Sequence, residues 1–175
     1  IVVLLFLDGC IGIYESSPLI VSIRSEDIAD VKSLIDSGAD VNALSLDFIE
    51  KQAWKLTPLI RASITGNVEI IRMLLEAGEN LNEKEEWGYT ALMATAGYGH
   101  VEAAKLLVES GADVNATKPD LTTALMIAAR KGNLDIVKIL LNANADVNIG
   151  LGEGKTALFL AAWEGHISVM EALIE

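Results

Sequence analysis

From Val68 to Glu76 the chain reads VEIIRMLLE, with Ile70, Ile71, Leu74 and Leu75 at helical spacing and Glu69, Arg72 and Glu76 turned the other way. The pattern predicts an amphipathic helix, stopped by Gly78. Ile28, Val31, Leu34 and Ile35 repeat the spacing, with Lys32 and Asp36 facing out. The fullest version runs from Gly88 to Asn115, GYTALMATAGYGHVEAAKLLVESGADVN. It predicts a tight loop closing at Gly88, Thr90 as N-cap of a short helix, a stop at Gly99, a second helix and a stop at Gly111. Two antiparallel helices and a projecting loop result.

The pattern is periodic. Thr57, Thr90, Thr123 and Thr156 recur every 33 residues, as do Asn82, Asn115 and Asn148. Gly66, Gly99, Gly132 and Gly165 mark the first stop in each copy. A 33-residue period carrying Thr-Pro-Leu or Thr-Ala-Leu and Gly-Ala-Asp-Val-Asn resembles the ankyrin repeat over about residues 17–175. The resemblance implies an all-α solenoid of stacked antiparallel helix pairs with projecting β-turn or finger loops. Its copies fall at about 17–42, 52–84, 85–117, 118–150 and 151–175. Such an array grows by stacking and needs no single central core. Ala94, Ala96, Ala128, Ala129, Ala161 and Ala162 are then the small residues that let first helices approach closely.

Departures from the pattern carry their own expectations. Glu26 stands where later copies have the first glycine stop, so that turn is built differently or strained. Asn144 replaces the second glycine stop, and Asn is the next residue best able to take the left-handed conformation. The family's usual His after Thr-Pro-Leu is replaced by Ile60, Met93, Met126 and Phe159, an apolar ladder in place of a polar one. Between the first two copies seven extra residues enlarge the loop 43–56, ALSLDFIEKQAWKL. Its Leu46, Phe48, Ile49 and Trp54 suit either a long finger packed on its own neighbours or a loop that grips a partner. The last copy lacks its closing loop. Ile167, Val169, Met170, Leu173 and Ile174 are expected to leave apolar surface for a further repeat, so a longer array is expected.

The N-terminal segment 1–16 reads differently. IVVLLFLDGCIG is compatible with the tail of a secretory segment and a bacterial lipobox, in which Cys10 is acylated and attaches the protein to a membrane of the cell envelope. Asp8 departs from that pattern. Another targeting or spanning segment, or an apolar strand or helix covering the first repeat, stays open.

Composition narrows the chemistry. The 175 residues hold 25 acidic against 13 basic side chains, a formal charge of −12, so a nucleic-acid backbone is a poor partner. One cysteine excludes an intrachain disulfide. His100 and His166 occupy equivalent places in two copies, which points to a structural role near the start of each second helix. Asp40, Asp113 and Asp146 are equivalent turn residues. The GLGEG run at 150–154 lies in a finger without a preceding βαβ pattern, so it does not point to a nucleotide. No catalytic residue, cofactor or metal is expected.

The expected function is therefore non-catalytic binding of a protein partner by a monomer. The resemblance implies contact on the concave surface made by finger tips and the exposed ends of first helices. On this chain those positions are Trp54, Leu56, Ile64 and Thr65; Glu86, Trp87, Tyr89 and Tyr98; Asp120, Thr122, Arg130 and Lys131; and Glu153, Lys155, Trp163 and Glu164. Trp, Tyr and Arg are enriched at binding hot spots, so the aromatic positions are the sharpest candidates. The alternative for each ring is to lie flat on a neighbouring finger. Two other functions stay open: a targeting segment of a larger enzyme continuing beyond residue 175, and a structural spacer.

Overall fold

The computed structural model describes residues 2–7, 10–15, 17–49 and 52–175, apart from the side chains of 2–15, 46–54 and 153. It forms two compact units, Ile1–Asn80 and Leu81–Glu175.

In the first unit, strands β1 (Val2–Leu7) and β2 (Cys10–Glu15) pair antiparallel and lead into helices α1 (Pro18–Arg24) and α2 (Ile28–Asp36). Strands β3 (Ser45–Ile49) and β4 (Gln52–Leu56) then pair and lead into α3 (Pro58–Thr65) and α4 (Val68–Glu76). Each hairpin runs directly into the cap of a first helix, where Ser17 Oγ and Thr57 Oγ1 accept from the amides of Ile20 and Ile60. The enlarged loop is thus a two-stranded finger, Ser45 opposite Leu56 and Ile49 opposite Gln52. Its alternation of Leu44, Leu46 and Phe48 with Ala43, Ser45 and Asp47 is strand periodicity. Leu19, Ile20, Ile23, Leu59, Ile70, Ile71 and Leu74 are buried between α1, α2, α3 and α4.

Glu26 takes the left-handed conformation itself, at φ 56°, so the turn has the same shape as its glycine counterparts. Asn67 Nδ2 donates to Glu26 Oε2 over it at 3.1 Å. Asn144 does the same for the stop it replaces, at φ 61°.

The second unit stacks α5 (Ala91–Tyr98), α7 (Ala124–Lys131) and α9 (Ala157–Glu164) in one row, and α6 (Val101–Glu109), α8 (Leu134–Asn142) and α10 (Ile167–Ile174) in another. Ala96, Ala128, Ala129 and Ala161 are wholly buried, and a Cβ on Gly97 would lie 3.6 Å from Ile127. The first helices therefore approach at side-chain contact with little between them. Met93 and Met126 occupy the apolar ladder at 1% exposure, but Phe159 stays 42% exposed. Val169 is buried rather than exposed at the outer face, because α10 turns it inward. The open apolar residues there are Phe159, Trp163, Ile167 and Ile174.

Second helices end in a recurring motif: Gly111 N donates to Val108 O and Ala112 N to Leu107 O, with Asn144 and Ala145 repeating it onto Leu141 and Leu140. After it, Asp113 and Asp146 accept from the amides of Asn115 and Asn148. The asparagines then tie one copy to the next. Asn82 Oδ1 accepts from Asp113 N, Asn115 Oδ1 from Asp146 N, and in the first unit Asn42 Oδ1 from Asn80 N. Their period reflects stitching between copies as well as loop closure.

Thr90, Thr123 and Thr156 cap α5, α7 and α9 through bonds to the amides three residues on. Thr90→Ala leaves a buried amide unsatisfied and is expected to lower stability by about 1 kcal/mol, measured by urea denaturation. An unchanged midpoint would contradict that role.

Candidate functional site

In the second unit three fingers share one backbone design. Glu85 N donates to Tyr89 O, Lys118 N to Thr122 O and Leu151 N to Lys155 O, closing five-residue hairpins. Within each, Gly88, Leu121 and Gly154 donate back three residues and sit left-handed, at φ 82°, 68° and 72°. Gly88 also needs its missing Cβ, since that atom would lie 2.7 Å from Pro119 Cδ and 3.2 Å from Lys118 Cα.

The first finger is held from inside by a carboxylate. Glu85 is 4% exposed, and its Oε1 accepts from the amides of Trp87 and Tyr89 at 2.8 and 2.9 Å. The indole of Trp87 nevertheless stays 61% exposed. In the second finger the hydroxyl and amide of Thr122, together with the Lys118 ammonium 3.6 Å away, hold the Asp120 carboxyl below its usual value. Lys118 Nζ also lies 4.4 Å from the centre of the Tyr89 ring, and Lys84 Nζ donates to Thr117 O. Neighbouring fingers are therefore braced by their lysines, and Tyr89 belongs to that bracing.

The helix ends supply the remainder. Tyr98 closes α5, 50% exposed and stacked on His100 with centroids 6.3 Å apart. Arg130 and Lys131 end α7 and are exposed, as are Glu86, Asp120 and Glu164. Trp163 is 78% exposed and stacks on Phe159 at 6.2 Å, which joins it to the apolar outer face of α9. Ile64, Thr65, Thr122 and Lys155 are half-buried. Leu56 is only 1% exposed and leaves the candidate set: at the end of β4, opposite Ser45, it belongs to the core. The side chains of Cys10, Trp54 and Glu153 lie outside the described residues, although the backbone places Cys10 opposite Leu7 and Trp54 opposite Asp47.

His166 serves the stack. His100 and His166 occupy the N-cap positions of α6 and α10, and His166 Nε2 lies 3.1 Å from Arg130 O. Asn133 reaches Ala96 O in the same manner. Among the described residues no group of three or more His, Cys, Asp or Glu could hold a metal ion, and no helix is long and apolar enough to cross a membrane.

Two residues of the site were not anticipated from the pattern of candidates. Glu85 resembles any surface acid in sequence, and only its burial makes it a brace. Leu121 could have been found by setting the copies in register, where it stands in a glycine column as a 49% exposed apolar tip.

No curated protein matches the chain. The family profile described as ankyrin repeats, three copies, matches residues 19–118 and 116–175. From Thr57 onward threonine caps, left-handed stops and asparagine stitches recur at a 33-residue spacing, and the chain belongs to the ankyrin-repeat family.

Proposed function

We propose that the chain binds a protein partner through the fingers and first-helix ends of its second unit, with Trp87 as the principal anchor. Ankyrin repeats are generally protein–protein interaction modules, and the family is typically non-catalytic. The carrying observation is the presentation of Trp87. A buried carboxylate fixes its backbone amide while the indole remains mostly in water. A backbone held in a set geometry loses little further freedom on binding, and burying the aromatic ring it carries supplies much of an interface's affinity. Glu86, Asp120 and Leu121 are also exposed on the fingers, and Tyr98, Arg130 and Lys131 are exposed at the ends of the first helices. Tyr89 braces the fingers instead, since Lys118 already lies over its ring.

A photo-crosslinking residue at position 87 is expected to capture a discrete protein. The same residue at Lys105, exposed on α6, is expected to capture none. Capture from 105 and not from 87 would move the interface to the second-helix face and overturn the proposal.

A further inference from the structure

Glu79 stands where the equivalent turns carry Ala39, Ala112 and Ala145, immediately after the Gly78 stop of α4. Nothing in the turn requires a carboxylate there, because Glu79 N donates to Leu74 O as Ala112 N does to Leu107 O. Its side chain instead runs inward and is 5% exposed. Oε1 accepts from the amide of Leu59 at 2.8 Å, satisfying a free donor in the first turn of α3. The Thr57 hydroxyl, on the cap of that helix, is also bonded to the carboxyl. Oε2 is buried without a hydrogen-bond partner. One residue before the cap, the buried Leu56 ends β4 opposite Ser45. The carboxyl thus joins the turn after α4 to the point where the β3–β4 finger meets α3.

We propose that Glu79 is a pH-sensitive clasp at the root of the β3–β4 finger: protonated, it holds the root closed on α3, and ionised, it loosens it. A neutral carboxyl keeps the Leu59 bond and tolerates burial. An ionised one places a charge on an oxygen that no donor reaches, which favours opening the root to water. The surrounding charges do not relieve this. Asp40, on the loop after α2, disfavours a second negative charge, Lys55 on β4 and Glu76 on α4 are exposed, and the buried Arg61, further along α3, is not among the groups that shift the carboxyl. Burial first, then Asp40, push the carboxyl up to about 8 against the pull of the Leu59 and Thr57 hydrogen bonds. Below the ordinary value of 4.5 the group is protonated in both folded and unfolded chains. Above it the unfolded chain releases a proton that the folded chain keeps, so stability falls as pH rises from about 4.5 to about 8 and then levels.

The test uses the whole chain. The carboxyl carbon of Glu79 is followed by NMR against pH, and protection of the Leu59 amide is measured at pH 6 and pH 9. The wild type is expected to titrate above pH 6 and to lose about tenfold in protection between the two conditions, while E79Q keeps constant protection. A carboxyl midpoint at or below about 5, or an equal loss in both proteins, would overturn the clasp. Should E79Q fold poorly, E79A matches the alanine of the other copies and serves as the non-ionising control. Neither measurement depends on a partner, so the result stands apart from the fate of the binding surface.

Discussion

Gly88→Ala is expected to lower the unfolding free energy by about 3 kcal/mol, while Leu121→Gly, at the same place one copy later, is expected to raise it by about 0.5–1 kcal/mol. Two independent effects add at Gly88. Its φ of 82° costs a side-chain-bearing residue on the order of 1 kcal/mol. A Cβ there would also meet Pro119 Cδ at 2.7 Å and Lys118 Cα at 3.2 Å, and backbone of the next finger cannot swing aside as a long side chain can. Overpacking of this kind costs a further 1–3 kcal/mol or so. Leu121 already bears the conformational strain at φ 68°, with half its surface in water. Glycine there relieves the strain, and the greater freedom of the unfolded chain offsets only part of that gain. Urea midpoints of the two variants against the wild type decide the matter. Shifts of the same sign would contradict the shared finger design.

Much of the fold was legible because each repeated residue has a local task. Threonine caps a helix three residues ahead, and glycine turns the chain left-handed at a stop, whatever the rest of the molecule does. Even the exceptions at Glu26 and Asn144 took the conformation their column demands. The site was less legible, because exposure is decided by partners distant in sequence. Leu56 is buried at the end of β4, opposite Ser45 on a strand eleven residues back, and Tyr89 is covered by Lys118 from the next finger. Neither relation shows in a local window. Glu79 and Glu85 are harder still, since a buried carboxyl is written with the same letter as a surface one. A comparison of copies would have isolated Glu79 against its alanines. Phe159 shows the opposite case: its column is buried at Met93 and Met126, and it remains exposed because α9 has no first helix on its outer side within the described residues.

Residues that recur build the stack, and those that do not recur are the ones we propose to meet a partner. Trp87 and Thr90 put that division to the test, because they stand three positions apart with opposite expected roles. The indole is 61% exposed, and among the described interactions its residue is held only through the backbone amide, so truncating it should leave the fold intact. Thr90 is 3% exposed and caps α5, so its loss should act on folding. An anchor of this type contributes 2 kcal/mol or more to binding, about thirtyfold in Kd. The decisive measurement is the Kd of wild type, Trp87→Ala and Thr90→Ala for the protein captured at position 87, with each variant's urea midpoint taken alongside. Trp87→Ala should bind about thirtyfold more weakly at an unchanged midpoint, and Thr90→Ala should bind normally at a lowered midpoint. Wild-type affinity in a folded Trp87→Ala protein would contradict the account.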